Sequence, residues 1–189
     1  GIAVVHSRFN VAATLVLLPF SNGLVKLACL TLPTHEDVKE MSETDKTLSL
    51  LDPRFLDTPA YAVEQSRQVA SVMADKSRKA MDLAMELLQG YDEAKAEQVI
   101  QMETDVDRFE DELGTYLVKL SSRQLSGKDS ETLNTILHCI GDFERISDHA
   151  RNVKEAAQEM YDKKLDFSDK AQEELKVFER AVHDILDIT

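Results

Sequence analysis

From Pro59 onward the apolar residues of this chain recur every three or four positions for more than a hundred residues, and only short polar breaks interrupt them. That spacing puts them on one side of an α-helix and leaves a strand no consistent face. The first stripe comprises Val63, Val69, Val72, Met73, Met81, Leu83, Leu87 and Leu88, with Thr58 as a cap, Pro59 preset for the first turn and Gly90 as the stop. A second, through Val99, Val106, Leu113, Leu117 and Leu120, runs from about Asp92 to Leu125 and stops at "SGKD". The third, through Leu133, Ile136, Leu137, Ile140, Phe143, Ala150, Val153 and Ala157, starts at about Ser130 with Ser130 or Asp129 as cap and ends near Tyr161. A fourth opens near Ser168 with Ala171, Leu175, Phe178, Val182 and Ile185, and is still running at Thr189. Three rods of roughly 30 residues on short loops pack as antiparallel neighbours. The expected fold is therefore all-α, an antiparallel three-helix bundle followed by an element that either caps it or begins a second bundle.

The first third of the chain obeys a different pattern. Gly1 to Pro33 contains no acid and only Arg8 and Lys26 as formal charges, leaving 20 basic against 35 acidic residues, a net −15, on the remainder. Asn10 to Pro33, "NVAATLVLLPFSNGLVKLACLTLP", is apolar and long enough to cross a hydrocarbon core of about 30 Å, although "PFSNG" interrupts it. A membrane-associated segment is the leading expectation; a buried core helix and a signal peptide are the others. The signal peptide lacks a basic start and a small-residue cleavage pattern. A start inside an apolar pattern and an end inside an amphipathic one are what a fragment of a longer protein would show. Between them, residues 34–56, with "THEDVKEMSETDK" and "LDPRFLDTP", have no clear period and read as a polar linker.

Composition narrows the chemistry. A net charge of −13 opposes nucleic-acid binding, which needs clustered Lys and Arg to neutralise phosphates. Cys29 and Cys139 sit in apolar contexts without metal-ligand spacing. His138 and His149 do not make the Glu-x-x-His spacing of di-iron bundles. With no Ser/His/Asp constellation and no glycine-rich phosphate loop, no catalytic site is expected.

The unusual residues are acids at the edge of the apolar stripes. Glu103 lies four after Val99 and three before Val106, with Asp107 one turn on; Glu144 and Asp148 repeat that pair on the third helix. Adjacent antiparallel helices can bring all four together. Four desolvated carboxylates repel one another unless protonated, paired with Arg or bridged by a hard cation such as iron, manganese, magnesium or calcium. A chain with 35 acids also makes i,i+4 pairs by chance, Glu93/Glu97 and Glu155/Glu159 among them, and Arg108, Arg145 and Arg151 can turn the acids into a solvated ion network. From the residues alone both readings stand.

"METDVDRFEDEL", Met102 to Leu113, and "DFERISDHARN", Asp142 to Asn152, resemble the two halves of the E(D)-x-x-x-D signature of PhoU-like domains, over about Asp57 to Thr189. The resemblance implies two similar three-helix bundles, of which this chain holds one and the start of the next, and a multinuclear metal cluster, iron or zinc, on Glu103, Asp107, Glu144 and Asp148. "HSRFN", His6 to Asn10, followed by "VAATLVLLPF", is similar to the end of the membrane domain of bacterial type II sodium/phosphate cotransporters, many of which continue into a PhoU-like domain. This implies residues 1–33 as the end of a membrane domain, 34–56 as linker and 57–189 as a cytoplasmic PhoU-like domain at the inner membrane. Sodium and phosphate would then be handled by a transport domain lying upstream, since the Gln-Ser-rich repeats of that family are absent here. Homo-oligomers are among the partners this reading implies. The alternatives are a soluble PhoU-like phosphate-signalling regulator and a helical interaction module without metal.

Overall fold

In the computed structural model the described residues are 41–187. The apolar segment 10–33 and Cys29 lie outside them. Among the described residues no helix is long and apolar enough to cross a membrane. A compact unit runs from Ser42 to Thr189. It contains α1 (Glu43–Leu48), a 3₁₀ turn (Pro53–Asp57), α2 (Pro59–Gln89), α3 (Glu93–Ser121), α4 (Gly127–Lys163) and α5 (Asp169–Leu186).

The three long helices stand where the apolar periodicity places them, and their ends show the local chemistry that fixes them. Asp92 caps α3 by accepting from the Lys95 amide at 2.9 Å, and Ser168 caps α5 through the Ala171 amide. Two caps differ from expectation. Thr58 makes no side-chain cap; its hydroxyl instead donates to the Phe55 carbonyl at 3.2 Å, so Pro59 starts α2 without one. Helix α4 begins three residues earlier than Ser130, because Ser126 accepts from the Asp129 amide at 3.2 Å and supplies the cap. Lys164, at φ 52°, ends α4 in the left-handed region that commonly terminates helices.

Part of the stretch read as linker is folded. Ser42 and Asp45 form a reciprocal capping box that starts α1, and Asp52 caps the 3₁₀ turn through the Arg54 amide at 2.8 Å. Leu48 and Leu56 are buried in the bundle core, and the Tyr116 hydroxyl donates to the Asp52 carbonyl at 3.2 Å. Arg108 of α3 also reaches Asp45 at 2.6 Å. A short period of one turn leaves too few apolar positions to register as a stripe, which is why the pattern hid these elements.

The bundle core has two parts. At one end Val69 and Met73 of α2 meet Phe109, Leu113 and Leu117 of α3 and Leu133, Ile136 and Ile140 of α4. Each such side chain contributes about 1.5–3 kcal/mol on burial. At the other end Ala80, Ala84, Ala96, Ala150 and Ala157 surround Leu87 and Val99. Five of the seven buried residues at that end are alanines. Ser66 and Ser77 of α2 are buried as well, their hydroxyls bonded back to the carbonyls of Ala62 and Met73.

Helix α5 is amphipathic, yet it buries none of its residues. Polar contacts join it and its C-cap Asp187 to α2: Gln89 to Glu179, Arg78 to Asp187 and His183 to Asp82. Val177, Phe178 and Ile185 remain exposed.

Candidate metal centre

The junction between the two core clusters falls near the middle of α3 and α4, and there the apolar stripes give way to acids. Val99 and Val106 are fully buried, and Glu103, between them on the same face, is carried inward with them to 4% exposure. One turn on, Asp107 sits at the rim of that face and is exposed; Asp148 of α4 is exposed opposite it. A carboxylate oxygen of each of Glu103, Asp107 and Asp148 lies within 4.8 Å of the others. Two antiparallel helices therefore supply three converging acids from the two i,i+4 pairs.

Glu144 stands at the edge of this group. It is half-buried, and its oxygens fall outside the 4.8 Å set. Its electrostatics still register the cluster: burial first, then repulsion from Asp148, Asp107 and Glu110, hold its carboxyl above the usual range, with Arg145 opposing. Asp107 is likewise held above the ordinary aspartate value, by burial first and then by Glu103 and Asp148, with Arg151 opposing. Mutual repulsion of this kind is relieved by a positive charge placed among the acids.

One positive charge is already present. Arg151, one turn beyond Asp148 and Ser147, donates from Nη1 to Glu103 Oε1 at 2.6 Å. Thr104 Oγ1 is 3.4 Å from the other Glu103 oxygen, but its shorter contact, 3.0 Å, is to the Ile100 carbonyl. A hydroxyl has one hydrogen, so Arg151 is the principal donor to Glu103. Three carboxylates against one guanidinium leave a formal net charge of −2, the complement of one divalent cation.

The donors fit a metal by their chemistry. All are carboxylate oxygens, and His138 and His149 are exposed and outside the group, so the set suits hard cations that prefer oxygen ligands. Glu110 and Arg151 belong to the electrostatic surroundings of the site. Glu110 could have been found in the sequence from its position three after Asp107; Arg151 appeared there only as one of several counter-charges. Cys139 is half-buried with a free thiol and takes no part.

Residues 70–157 match the family model of the PhoU domain. The match spans most of α2, all of α3 and most of α4, and so contains both acid pairs. No curated protein and no solved structure matches the chain. The matched segment lies in a bundle of helices whose three longest members form the core.

Proposed function

We propose that this PhoU-like domain is a phosphate-regulatory module that holds a hard divalent cation through Glu103, Asp107 and Asp148, with Glu144 at the edge of the site. The observation that carries the reading is the convergence of three carboxylates from two helices inside the segment that matches the PhoU domain. A cation there would supply charge neutralisation and tie α3 to α4 at the midpoint of the bundle. Magnesium, manganese and ferrous iron suit an all-oxygen set; zinc is less favoured without His or Cys donors. Glu144, drawn close by a second ion, would be the ligand through which a multinuclear cluster grows. Elemental analysis of purified protein after loading with Mn²⁺ tests this. Wild type is expected to retain the metal and the Asp107→Asn/Asp148→Asn form to lose it; equal metal content in the two would reject the site and leave a helical module whose acids form a charged face.

A second reading places the domain behind a sodium/phosphate transport domain in a membrane. It rests on "HSRFN" and the apolar run 10–33, all outside the described residues. Recovery of the full chain in a detergent-free soluble fraction would favour the free-standing regulator. Sodium-dependent phosphate flux from a protein that contains this chain behind a transport domain, reconstituted in vesicles, would favour the transporter.

A further inference from the structure

Arg151 stands between the proposed cation site and solvent with a partner on each side. Its Nη1 reaches the buried Glu103 at 2.6 Å, while its Nε lies 3.5 Å from Glu155, one turn further along α4. The exposures differ sharply: the Glu103 side chain is 6% exposed, those of Arg151 and Glu155 49% and 59%. A carboxylate as buried as Glu103 needs a counter-charge, because an unpaired buried ion costs far more than a solvated one. Arg151 has no such need. It is half in water and keeps Glu155 as a partner if it leaves Glu103.

We propose that Arg151 is a built-in surrogate cation, which neutralises Glu103 when no metal is bound and yields that carboxylate to the metal, retaining Glu155, when one enters. The inference rests on the cation-site reading above. It adds that the site has its own competitor, so metal affinity is set by an exchange of partners and not by the acids alone. A divalent ion among Glu103, Asp107 and Asp148 repels a guanidinium 2.6 Å from one of its ligands, and this drives the exchange. The same arrangement keeps the metal-free bundle folded, since Glu103 is never left as an uncompensated charge in the core.

The test titrates Mn²⁺ into the full chain and into its Arg151→Gln, Arg151→Lys and Asp148→Asn forms, reading dissociation constants by calorimetry and melting temperatures with and without metal. Removing the competitor is expected to tighten Mn²⁺ binding about tenfold in Arg151→Gln, the size of one charged hydrogen bond no longer broken on loading. That form should also melt below wild type without metal and recover the difference with saturating Mn²⁺. Arg151→Lys, which keeps the charge, should bind closer to wild type. Equal or weaker Mn²⁺ binding by Arg151→Gln would overturn the inference while leaving the site intact. Wild-type affinity in Asp148→Asn, or no binding by any form, would overturn the site and the inference with it. Should Arg151→Gln fail to fold, the arginine Nε resonance absent from Arg151→Lys is followed in wild type during Mg²⁺ titration: a shift supports the exchange, and an unmoved resonance at saturation refutes it.

Discussion

The two ends of the bundle core achieve the same helix pairing by opposite means. Near α1 and the 3₁₀ turn the helices are held by bulk, with Phe109, Leu113, Leu117 and Met73 fully buried. At the far end the buried residues are mostly alanines, with Leu87 and Val99 as the larger ones. The acids occupy the changeover between these regimes. At the bulky end large side chains in the seam fill the core and keep water out; at the alanine end most of the buried positions are small. The middle is where α3 carries one acid, Glu103, into its buried face and the next, Asp107, at the exposed rim.

The largest expected effect breaks the bulky end. Leu117→Ala leaves a cavity among residues that cannot collapse without moving three helices, and should lower unfolding free energy by about 2–5 kcal/mol in urea titration. A smaller effect with the opposite cause sharpens the contrast. Ala84→Leu adds bulk where Ala84 is fully buried against its neighbours, and should cost about 1–3 kcal/mol through overpacking. If Ala84→Leu were neutral, the far end would hold unfilled space and the contrast would fail.

The changeover region should respond in the other direction. Asp107→Asn removes one of three mutually repelling carboxylates, and in the absence of metal should raise stability by under about 1 kcal/mol, since Asp107 is exposed and its repulsion screened. The same change should abolish Mn²⁺ stabilisation, measured as the loss of the metal-dependent melting shift. A substitution that gains stability and loses binding separates a functional acid from a structural one.

The smallest effect is in pH dependence, and its sign differs between the regions. Asp52, beside Arg54, is pulled from 3.8 to about 2, so its contribution is present above the unfolded value and lost as pH falls from 3.8 through about 2. Asp107 and Glu144 are raised above 3.8 and 4.5, so the folded state holds their protons more tightly and metal-free stability falls as pH rises through the window above those values. Urea midpoints against pH should therefore flatten at the acid extreme in Asp52→Asn and in the window above 3.8 in Asp107→Asn. A Asp107→Asn profile parallel to wild type would show that the cluster is not under strain.

Periodicity in the sequence marks the four longer helices, because a stripe repeating every 3.6 residues is a property of one segment and needs no partner to be seen. It determined the two acid pairs for the same reason: Glu103/Asp107 and Glu144/Asp148 are i,i+4 neighbours whatever surrounds them. Periodicity leaves the roll of each helix about its axis, and its slide along its neighbours, unspecified. Only the tertiary structure decided those, and with them that Glu103, Asp107 and Asp148 converge while Glu144 stays at the edge. Packing also decided which of several arginines became a counter-charge. Arg151 holds Glu103, Arg108 is spent on Asp45 and Glu112, and no spacing rule distinguishes them in advance. Residues 42–56 make the same point: too short to show a period, they fold because the bulky end of the bundle offers Leu48 and Leu56 somewhere to be buried.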